Sequence, residues 1–409
     1  MSLQETTVVV GAGHAGAEVV AALRQQQYAG RIILIGEEPC LPYRRPPLSK
    51  AYLAGEADRE SLLIRSAAAY DKLQIECWTG IAVSAIDRQG HCVLLDDGRA
   101  VGYTKLVLAT GGRPRRLSDP AANKANVHYI RTVADIDGLR SELAAGRRLL
   151  VVGGGYIGLE AASVGIKSGL QVTVLEAASR LLARVAAPEI SAFYARAHGK
   201  RGVDVRTGVS VESFIGGERV ESVRLSDGSE LPVDLVIVGI GILPNDELAR
   251  DAGLEVDNGI VVDSYAQTWD PDILAVGDCA SHVNGFLGRL IRIESVPSAQ
   301  EQAKTAAATI CGKPLAHAAV PWFWSDQFDL KLQMVGLSEG YEQLVLRGDM
   351  AAESFCAFYL RGGVVLSVDA VNRPQEFMVA KRLVAERAQV DARALADEGI
   401  ALKSLLPYV

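Results

Sequence analysis

One glycine-rich run near the start of the chain has the spacing of a phosphate-binding loop. Gly11-Ala12-Gly13-His14-Ala15-Gly16 follows the β-branched run Thr7-Val8-Val9-Val10, which is typical of a strand buried on both faces. Gly11 allows a tight turn, Gly13 lets the backbone approach a pyrophosphate, and Gly16 lets the next helix pack closely. The amides of that helix's first turn favour negative charge. The run therefore predicts a dinucleotide pocket.

The context of this run matters, because 40 of the 409 residues are glycine and the spacing alone could be a structural turn. A second apolar run, Ile32-Ile33-Leu34-Ile35, predicts the next strand. Glu37 follows it about 20 residues after the glycines, which is the spacing of a carboxylate that binds a ribose. The strand, the helix and the carboxylate together favour the pocket over a simple turn.

The same arrangement occurs a second time. Leu149-Leu150-Val151-Val152 leads into Gly153-Gly154-Gly155-Tyr156-Ile157-Gly158, then a helix that carries Glu160, and then a strand that ends in Glu176. Two such units, each with its own strand, helix and acidic residue, are not explained by glycine content. The sequence predicts a second dinucleotide pocket.

Two further turns place backbone or carboxylate where a ligand would bind. An apolar strand runs into Thr110-Gly111-Gly112, which suits a backbone that passes close to a ligand. Another apolar strand ends in Gly277-Asp278, and ligands of open parallel sheets bind at the carboxyl ends of the strands. We therefore expect Thr110, Gly111 and Asp278 to lie at the first pocket.

The remaining segments indicate the domain organisation. Pro46-Pro47 predicts an extended entry that places Ser49 and Lys50 at or near a helix start, although Lys50 could equally be a solvated lysine. Residues 191–234 look rich in strands, with a hairpin turn at Ser226-Asp227-Gly228. From Val320 onward, alternating strands and a helix over residues 376–389 predict a third, α+β domain.

Composition excludes several classes of function. A net charge of -7 and the lack of a basic run argue against nucleic acid as a partner. No leader-like segment and no long apolar run is evident, so we expect a cytoplasmic protein without a membrane partner. The six cysteines are scattered and suggest neither a disulfide framework nor a metal site.

Over essentially the whole chain, the motifs resemble those of the FAD-dependent NADH:ferredoxin reductases, a family that includes putidaredoxin reductase-like and rubredoxin reductase-like enzymes. The matching motifs are Gly11 to Gly16, Arg45-Pro46-Pro47-Leu48-Ser49-Lys50, Ala109-Thr110-Gly111, Gly153 to Glu160, Gly277-Asp278, Glu294-Ser295-Val296 and Phe323-Trp324-Ser325-Asp326-Gln327. Cys40 and Arg44 are not positions of this pattern.

The resemblance implies the α/β fold of glutathione reductase, with two Rossmann-like dinucleotide-binding domains and a C-terminal α+β domain. The first pocket would hold FAD and the second NADH. The expected boundaries are residues 1–113 and 248–320 for the FAD domain, 114–247 for the NAD domain and 321–409 for the C-terminal domain.

The resemblance also assigns residues to the two cofactors. FAD would contact Gly11, Gly13, Ala15, Gly16, Glu37, Lys50, Val83, Thr110, Gly111, Arg131, Asp278 and Val296. NAD would contact Gly153, Gly155, Tyr156, Ile157, Gly158, Glu176 and Gly241. Lys50, Glu160 and Tyr156 match catalytic positions, the first two as a pair beside the flavin and the third where nicotinamide stacks.

The implied reaction is hydride transfer from NADH to FAD, followed by single-electron transfer to a [2Fe–2S] ferredoxin that serves a cytochrome P450 or a ring-hydroxylating oxygenase. Trp324 would mark the electron exit, with Lys304 and Arg289 or Arg292 as docking cations. Glu176 favours NADH over NADPH, whereas Arg180 and Arg184 nearby could instead bind a 2′-phosphate.

Other activities stay open on this evidence. The acceptor could be a rubredoxin, and the chain could be a monomer or a homodimer. An NADH oxidase, peroxidase or disulfide reductase on this fold would need a reactive cysteine near Pro46, but the nearest are Cys40 and Cys77. A redox-sensing flavoprotein usually requires targeting sequence and long insertions, which are not evident.

Overall fold

The computed structural model describes residues 5–407. In the first part of the chain the elements are β1 (Thr6–Val10), α1 (His14–Gln25), β2 (Arg31–Gly36), α2 (Arg59–Leu62), α3 (Ala67–Lys72), β3 (Ile75–Thr79), β4 (Val83–Asp87), β5 (Cys92–Leu95), β6 (Ala100–Gly102), β7 (Lys105–Leu108) and β8 (Gly112–Pro114). In the middle they are β9 (Val127–Tyr129), α4 (Val133–Arg140), β10 (Arg148–Val152), α5 (Tyr156–Lys167), β11 (Gln171–Glu176), α6 (Pro188–Lys200), β12 (Asp204–Thr207), β13 (Val211–Ile215), β14 (Ser222–Leu225), β15 (Glu230–Pro232) and β16 (Leu235–Val238).

The last part of the chain contains β17 (Ile242–Pro244), α7 (Glu247–Asp251), β18 (Ile260–Val262), β19 (Ile273–Ala275), β20 (Ala280–Asn284), β21 (Arg289–Ile291), α8 (Val296–Ile310), β22 (Trp322–Gln327), β23 (Leu330–Gly336), β24 (Gln343–Asp349), β25 (Ser354–Arg361), β26 (Val364–Val371), α9 (Pro374–Ala385) and α10 (Ala392–Ala396). Short 3-10 turns form at Pro46–Ser49, Pro120–Asn123, Gly277–Cys279 and Leu402–Leu405.

Contacts divide the described residues into two compact units. The first unit comprises the residues up to Arg45 together with Arg59–Arg113 and Ile242–Pro321. The second comprises Pro46–Asp58, Pro114–Gly241 and the residues from Trp322 onward. The finer division of the second unit into an NAD domain and a C-terminal domain stays a prediction.

The first unit is built on a parallel sheet with β1 at its centre, in the order β19-β7-β1-β2-β3. Because side chains alternate along a strand, Val9 and Val8 face opposite sides of the sheet. Val9 joins a core with residues of α1 and α8, and Val8 joins a second core with residues of β5 and β18. The predicted strand buried on both faces is present as β1.

The second unit repeats this parallel plan, and like the first unit, which has the antiparallel sheet β4-β5-β6, it also contains antiparallel sheets. Its parallel sheet has the order β12-β11-β10-β16-β9, with β10 at the centre. The antiparallel sheets are β13-β14-β15 and β22-β23-β26-β25-β24. Helix α9 buries Phe377, Ala380, Leu383 and Val384. The α/β fold class with a C-terminal α+β part is confirmed.

Three local predictions differ from the structure. The stretch 191–234 contains the predicted strands as β12 to β15, and the predicted hairpin turn joins β14 to β15. The same stretch opens with most of helix α6, which was not predicted; this helix begins with Pro188 at its first position and buries Ile190, Phe193, Tyr194 and Ala197 at helical spacing. Ser49 and Lys50 do not start a helix, because Ser49 ends a 3-10 turn. Helix α9 begins at Pro374 and ends at Ala385, earlier than predicted at both ends.

None of the helices within residues 5–407 combines the length and the apolar character needed to cross a membrane.

Candidate active site

The first glycine loop lies at the carboxyl edge of the first unit's sheet. Gly11 has a φ of +112°, and a Cβ there would lie 2.1 Å from the Ala109 carbonyl oxygen. A Cβ on Gly16 would lie 2.0 Å from the Gly11 carbonyl oxygen. Neither position accepts a side chain, whereas a Cβ on Gly13 would meet nothing within 4 Å. The loop is tight on the protein side and open where a pyrophosphate fits.

Two other turns reach the same edge of this sheet. The Thr110 hydroxyl donates to the Asn245 carbonyl oxygen at 2.6 Å, and the Asn245 N–H donates to the Gly111 carbonyl oxygen at 2.9 Å. A Cβ on Gly277 would lie 2.9 Å from the Ala15 Cβ. Asp278 therefore comes next to the start of α1, as the strand order requires.

The other predicted FAD residues occupy more scattered positions. Val296 is the first residue of α8, Val83 is the first of β4, and the exposed Glu37 follows β2 directly. Arg131 belongs to the second unit, between β9 and α4. Contacts of these four residues with a cofactor stay predictions.

The second glycine loop has the geometry of the first. Gly153 also has a φ of +112°, and its Cβ would lie 2.4 Å from the Gly239 carbonyl oxygen. A Cβ on Gly158 would lie 2.2 Å from the Gly153 carbonyl oxygen, but a Cβ on Gly155 would meet nothing within 4 Å. The loop again leaves room for a phosphate above Gly155.

Two further predicted NAD residues flank this loop. Ile157 lies in the first turn of α5 with 42% of its surface exposed, and Gly241 has a φ of +102° in the turn that follows β16. Both lie at the carboxyl edge of the second unit's parallel sheet, where β11 ends in Glu176.

The carboxylate of Glu176 is held by backbone amides. One oxygen accepts the Gly154 N–H at 2.8 Å and the other accepts the Ala178 N–H at 2.8 Å. The Arg180 guanidinium bonds to the carbonyl oxygens of Ala183 and Ala186 at 2.8 and 2.7 Å and to a serine hydroxyl. This inward bonding does not favour Arg180 as a phosphate binder, whereas Arg184 is exposed.

The acidic residues of the two units are not structural equivalents. Val10 pairs with Ile35 and Val152 pairs with Leu175, so the position of Glu176 corresponds to Gly36 and not to Glu37. In the first unit the Ala12 Cβ lies 2.5 Å from where a Cβ of Gly36 would stand. The first loop therefore has no room for a carboxylate at that position, which motif spacing does not reveal.

The predicted pair Lys50 and Glu160 is brought together in the second unit. The Lys50 Nζ lies 2.8 Å from the Glu160 Oε2. The Ser49 hydroxyl donates to the same oxygen at 2.5 Å, and the Ser325 hydroxyl donates to the Glu160 Oε1 at 2.6 Å. Glu160 is buried, and a buried carboxylate is stable when it is paired and hydrogen-bonded. The sequence did not identify Ser49 and Ser325 as hydrogen-bond donors to Glu160, although both lie within motifs that match the family.

Tyr156 begins helix α5 and faces aromatic and sulfur groups. Its hydroxyl donates to the Met334 Sδ at 2.8 Å, and its ring centroid lies 5.1 Å from that of Phe323. Trp324 continues this row at 6.3 Å from Phe323 and 5.7 Å from Trp322. Burial raises the pKa of the Tyr156 hydroxyl.

A buried carboxyl behind Tyr156 escaped the sequence analysis. Asp369 pairs with Met334 across neighbouring strands. The Tyr359 hydroxyl donates to Asp369 Oδ2 at 2.5 Å and accepts the Ala187 N–H at 3.1 Å. Burial raises the pKa of Asp369 from 3.8 to about 7. Asp369 occupies a strand position that is typical of a core residue, so no sequence motif marks it.

The cysteines do not resemble catalytic thiols. All six are free. Burial raises the thiol pKa of Cys40, the cysteine nearest to Pro46 in the sequence, and raises that of Cys77 to about 11. Nucleophilic cysteines have lowered pKa values, because the thiolate is the reactive form. Within residues 5–407, no group of three or more His, Cys, Asp or Glu residues is arranged to hold a metal ion.

Comparison with known proteins gives matches over almost the whole chain. Residues 5–303 match the pyridine nucleotide-disulphide oxidoreductase family, and residues 322–406 match the reductase C-terminal family. Putidaredoxin reductase from Pseudomonas putida is 49% identical, with 99% of this chain and 98% of the relative covered.

Two other matches agree with these. The ferredoxin–NAD(+) reductase component of an anthranilate 1,2-dioxygenase system from Burkholderia cepacia is 43% identical, with 98% of each chain covered. The crystal structure of a covalent putidaredoxin reductase–putidaredoxin complex matches with a TM-score of 0.96 at 49% identity, and 98% of each chain is covered.

Asp369→Asn should become more stable relative to the wild type as the pH rises. The raised pKa of Asp369 means that the folded protein binds this proton more tightly than the unfolded chain does. The contribution of Asp369 to wild-type stability should therefore fall as the pH rises from about 4 to about 7, by an amount on the order of 3 kcal/mol, whereas the buried histidines contribute with the opposite sign. A neutral amide removes this loss. Thermal unfolding midpoints at about pH 5 and about pH 8 measure the difference.

The control for this experiment is Asp349→Asn, which alters an exposed carboxylate of the same sheet and should follow the wild-type profile. Buried histidines titrate equally in all three proteins, so their effect cancels in the comparison. A difference in midpoint between Asp369→Asn and the wild type that is the same at both pH values would contradict the buried-acid assignment.

Proposed function

We infer the function of this chain from its family, because it belongs to the pyridine nucleotide-disulphide oxidoreductases and, within them, to the ferredoxin reductases. It is an oxidoreductase that uses FAD and NAD(H). We propose that it takes a hydride from NADH and passes single electrons to a [2Fe–2S] ferredoxin that serves a cytochrome P450 or a ring-hydroxylating oxygenase. The observation that carries this proposal is the match of the complete described fold, C-terminal part included, to ferredoxin reductases.

The two glycine loops fit the two cofactors. Each loop leaves open space above one glycine, Gly13 or Gly155, where a pyrophosphate fits. We assign FAD to the loop of the first unit and NADH to the loop of the second from the resemblance to the family. FAD, when bound, accepts a hydride as an electron pair and can release the electrons singly. The loop amides at the starts of α1 and α5 have no side-chain cap, so they are available to phosphate oxygens.

The side chains of the second unit supply charge and shape. We propose that Lys50 provides the positive charge that the flavin site needs when electrons arrive, and that Glu160 stabilises this charge between turnovers. The Tyr156 ring, fixed by Met334 and Phe323, would position the nicotinamide. Both roles require a side chain that is held in place before the reaction. A charge fixed in this way lowers the activation barrier, because it need not be reoriented as the transition state forms.

Carrier docking involves charge as well as an aromatic exit. We propose Trp324 as the exit and Arg289 and Lys304 as docking cations, both of which are exposed. The Lys304 Nζ forms an ion pair with the Glu301 Oε1 at 2.7 Å. Arg292 is a weaker candidate, because its guanidinium contacts the Asp278 carbonyl oxygen at 3.2 Å and pairs with Glu294 at 2.8 Å.

A rubredoxin is the alternative acceptor. A peroxidase or disulfide reductase activity is not favoured, because the Cys40 thiol has a raised pKa. We propose a cytoplasmic location, without nucleic acid or membrane partners, and a monomer or homodimer.

The purified protein should be yellow, bind one FAD per chain and reduce a [2Fe–2S] ferredoxin with NADH. Ferredoxins should be reduced about tenfold faster than rubredoxins, because specificity requires a complementary docking surface. A panel of purified carriers, followed by absorbance, measures both rates, and a sample without NADH is the control. A protein that shows no flavin spectrum after reconstitution with FAD would refute the assignment.

NADH should have a higher kcat/KM than NADPH, because the fixed carboxylate of Glu176 accepts ribose hydroxyl bonds and repels a 2′-phosphate. Glu176→Gln removes this charge and should reduce the ratio of kcat/KM for NADH to kcat/KM for NADPH about tenfold. Arg184→Gln should leave the ratio unchanged. Steady-state kinetics with both nucleotides provide the test, and a loss of NADPH use in Arg184→Gln would instead favour the phosphate-binding alternative.

Trp324→Ala should slow ferredoxin reduction about tenfold or more, because aromatic residues dominate docking energetics. NADH-to-ferricyanide turnover should change little, since it does not need the docked carrier. Higher salt should weaken ferredoxin turnover alone. Trp269→Ala is the control, since it removes an exposed indole from the first unit. Wild-type rates of ferredoxin reduction in Trp324→Ala would exclude this exit.

A further inference from the structure

A chain of buried hydrogen bonds leads from Glu160 into the interior of the second unit. The Ser325 hydroxyl bonds to Glu160 Oε1 at 2.6 Å, and the Gln327 Nε2 bonds to the Ser325 Oγ at 3.1 Å. The Gln327 Oε1 lies 2.9 Å from the His198 Nε2. Ser325, Gln327 and His198 are all 0% exposed, so water does not compete for these bonds. The chain joins α5, β22 and α6.

The direction of every bond in this chain follows from its first member. An ionised carboxylate can only accept, so the Ser325 hydroxyl must donate to Glu160. The Ser325 oxygen then accepts an N–H from Gln327, which turns the Gln327 carbonyl oxygen toward His198. His198 must therefore carry its proton on Nε2. Each proton along the chain points toward Glu160.

The surroundings of His198 agree with this tautomer. Among the described residues, the His198 Nδ1 has no hydrogen-bond partner, and a proton there would be a buried donor without an acceptor. The ring packs edge-on against Phe328 at 5.0 Å. Burial lowers the pKa of His198 to about 4, and the nearby Arg201 acts in the same direction, so the imidazole is neutral at pH 7.

We propose that Ser325, Gln327 and His198 are positioning residues that hold the Glu160 carboxylate aimed at Lys50. This inference rests on the proposed function, in which Glu160 stabilises the charge of Lys50 beside the flavin. Three charged or titratable groups lie around these hydrogen bonds. Lys50 pairs with Glu160 at one end, Tyr194 lies on α6, and Arg201 forms ion pairs with Glu353 and Asp329 near the other end. Lys50 pairs with the Glu160 Oε2, whereas Ser325 donates to the Glu160 Oε1.

A spectroscopic test uses Glu160→Gln in the FAD-loaded protein. Lys50 and Ser49 both donate to the Oε2 position, so the carbonyl oxygen of the new amide must take that position and its NH₂ must face Ser325. Ser325 then donates to Gln327, the Gln327 amide turns over, and His198 must accept at Nε2. Long-range ¹H–¹⁵N spectra of the six histidine rings should show His198 as the Nε2–H tautomer in the wild type. In Glu160→Gln, the same spectra should show His198 as the Nδ1–H tautomer, either alone or mixed with the Nε2–H tautomer.

A kinetic test uses Ser325→Ala, which leaves Glu160 Oε1 without its donor. Stopped-flow reduction of the flavin by NADH should slow about tenfold, with KM for NADH changed less than about twofold. Ser325→Thr keeps a hydroxyl and should restore the rate of flavin reduction.

Asp326→Asn is the matched control, since Asp326 lies on the other face of β22 and pairs with Lys331 at 3.1 Å. It should behave as the wild type. An unchanged His198 tautomer in Glu160→Gln, or an unchanged rate of flavin reduction in Ser325→Ala, would overturn the proposal. A wild-type protein whose flavin is not reduced by NADH would instead refute the proposed function, and the tautomer result would stand independently of it.

Discussion

The buried carboxylate of Glu160 is the constraint on which much of the second unit depends. A charge in the interior is tolerated only where donors surround it, and here three donors come from two segments far apart in the sequence. The segment Pro46–Asp58 belongs to the second unit, although its sequence neighbours belong to the first. Glu160 attaches that segment through Ser49 and Lys50, and a bond of 2.6 Å from the Tyr52 hydroxyl to Asp137 adds a second attachment.

The same constraint extends to the C-terminal sheet. Strand β22 presents Ser325 and Gln327 on one face because residues two apart on a strand face the same side. This spacing lets one strand carry two links of a hydrogen-bonded chain into the interior. Nearby, Asp369 satisfies the same rule differently, because burial raises its pKa and a tyrosine hydroxyl donates to it. One buried carboxylate is thus paired with a cation, whereas the other has a raised pKa and a hydroxyl donor.

The two glycine loops share one backbone design. Gly11 and Gly153 have the same φ of +112°, and in each loop the last glycine, Gly16 or Gly158, approaches a carbonyl oxygen too closely for any side chain. The loops differ at the end of the second strand, where Glu176 in one unit corresponds to Gly36 in the other. Gly154 gives Glu176 both space and an amide donor, whereas Ala12 occupies that space in the first loop. A single methyl group therefore separates the two environments.

By itself, the sequence determined the features that depend on local spacing. The glycine loops, the strands that precede them and the α/β class follow from short-range rules of backbone geometry and side-chain size, and the repeat at Gly153 reinforced them. Helix α6 was missed because a short amphipathic segment does not distinguish helix from strand by its apolar pattern alone. The resemblance to a family, and not spacing, named Lys50 and Glu160 as a pair. Only the tertiary structure brought Ser325, Gln327 and His198 into one chain and buried Asp369 behind Tyr156, because burial and hydrogen-bond direction depend on contacts between segments that are remote in sequence.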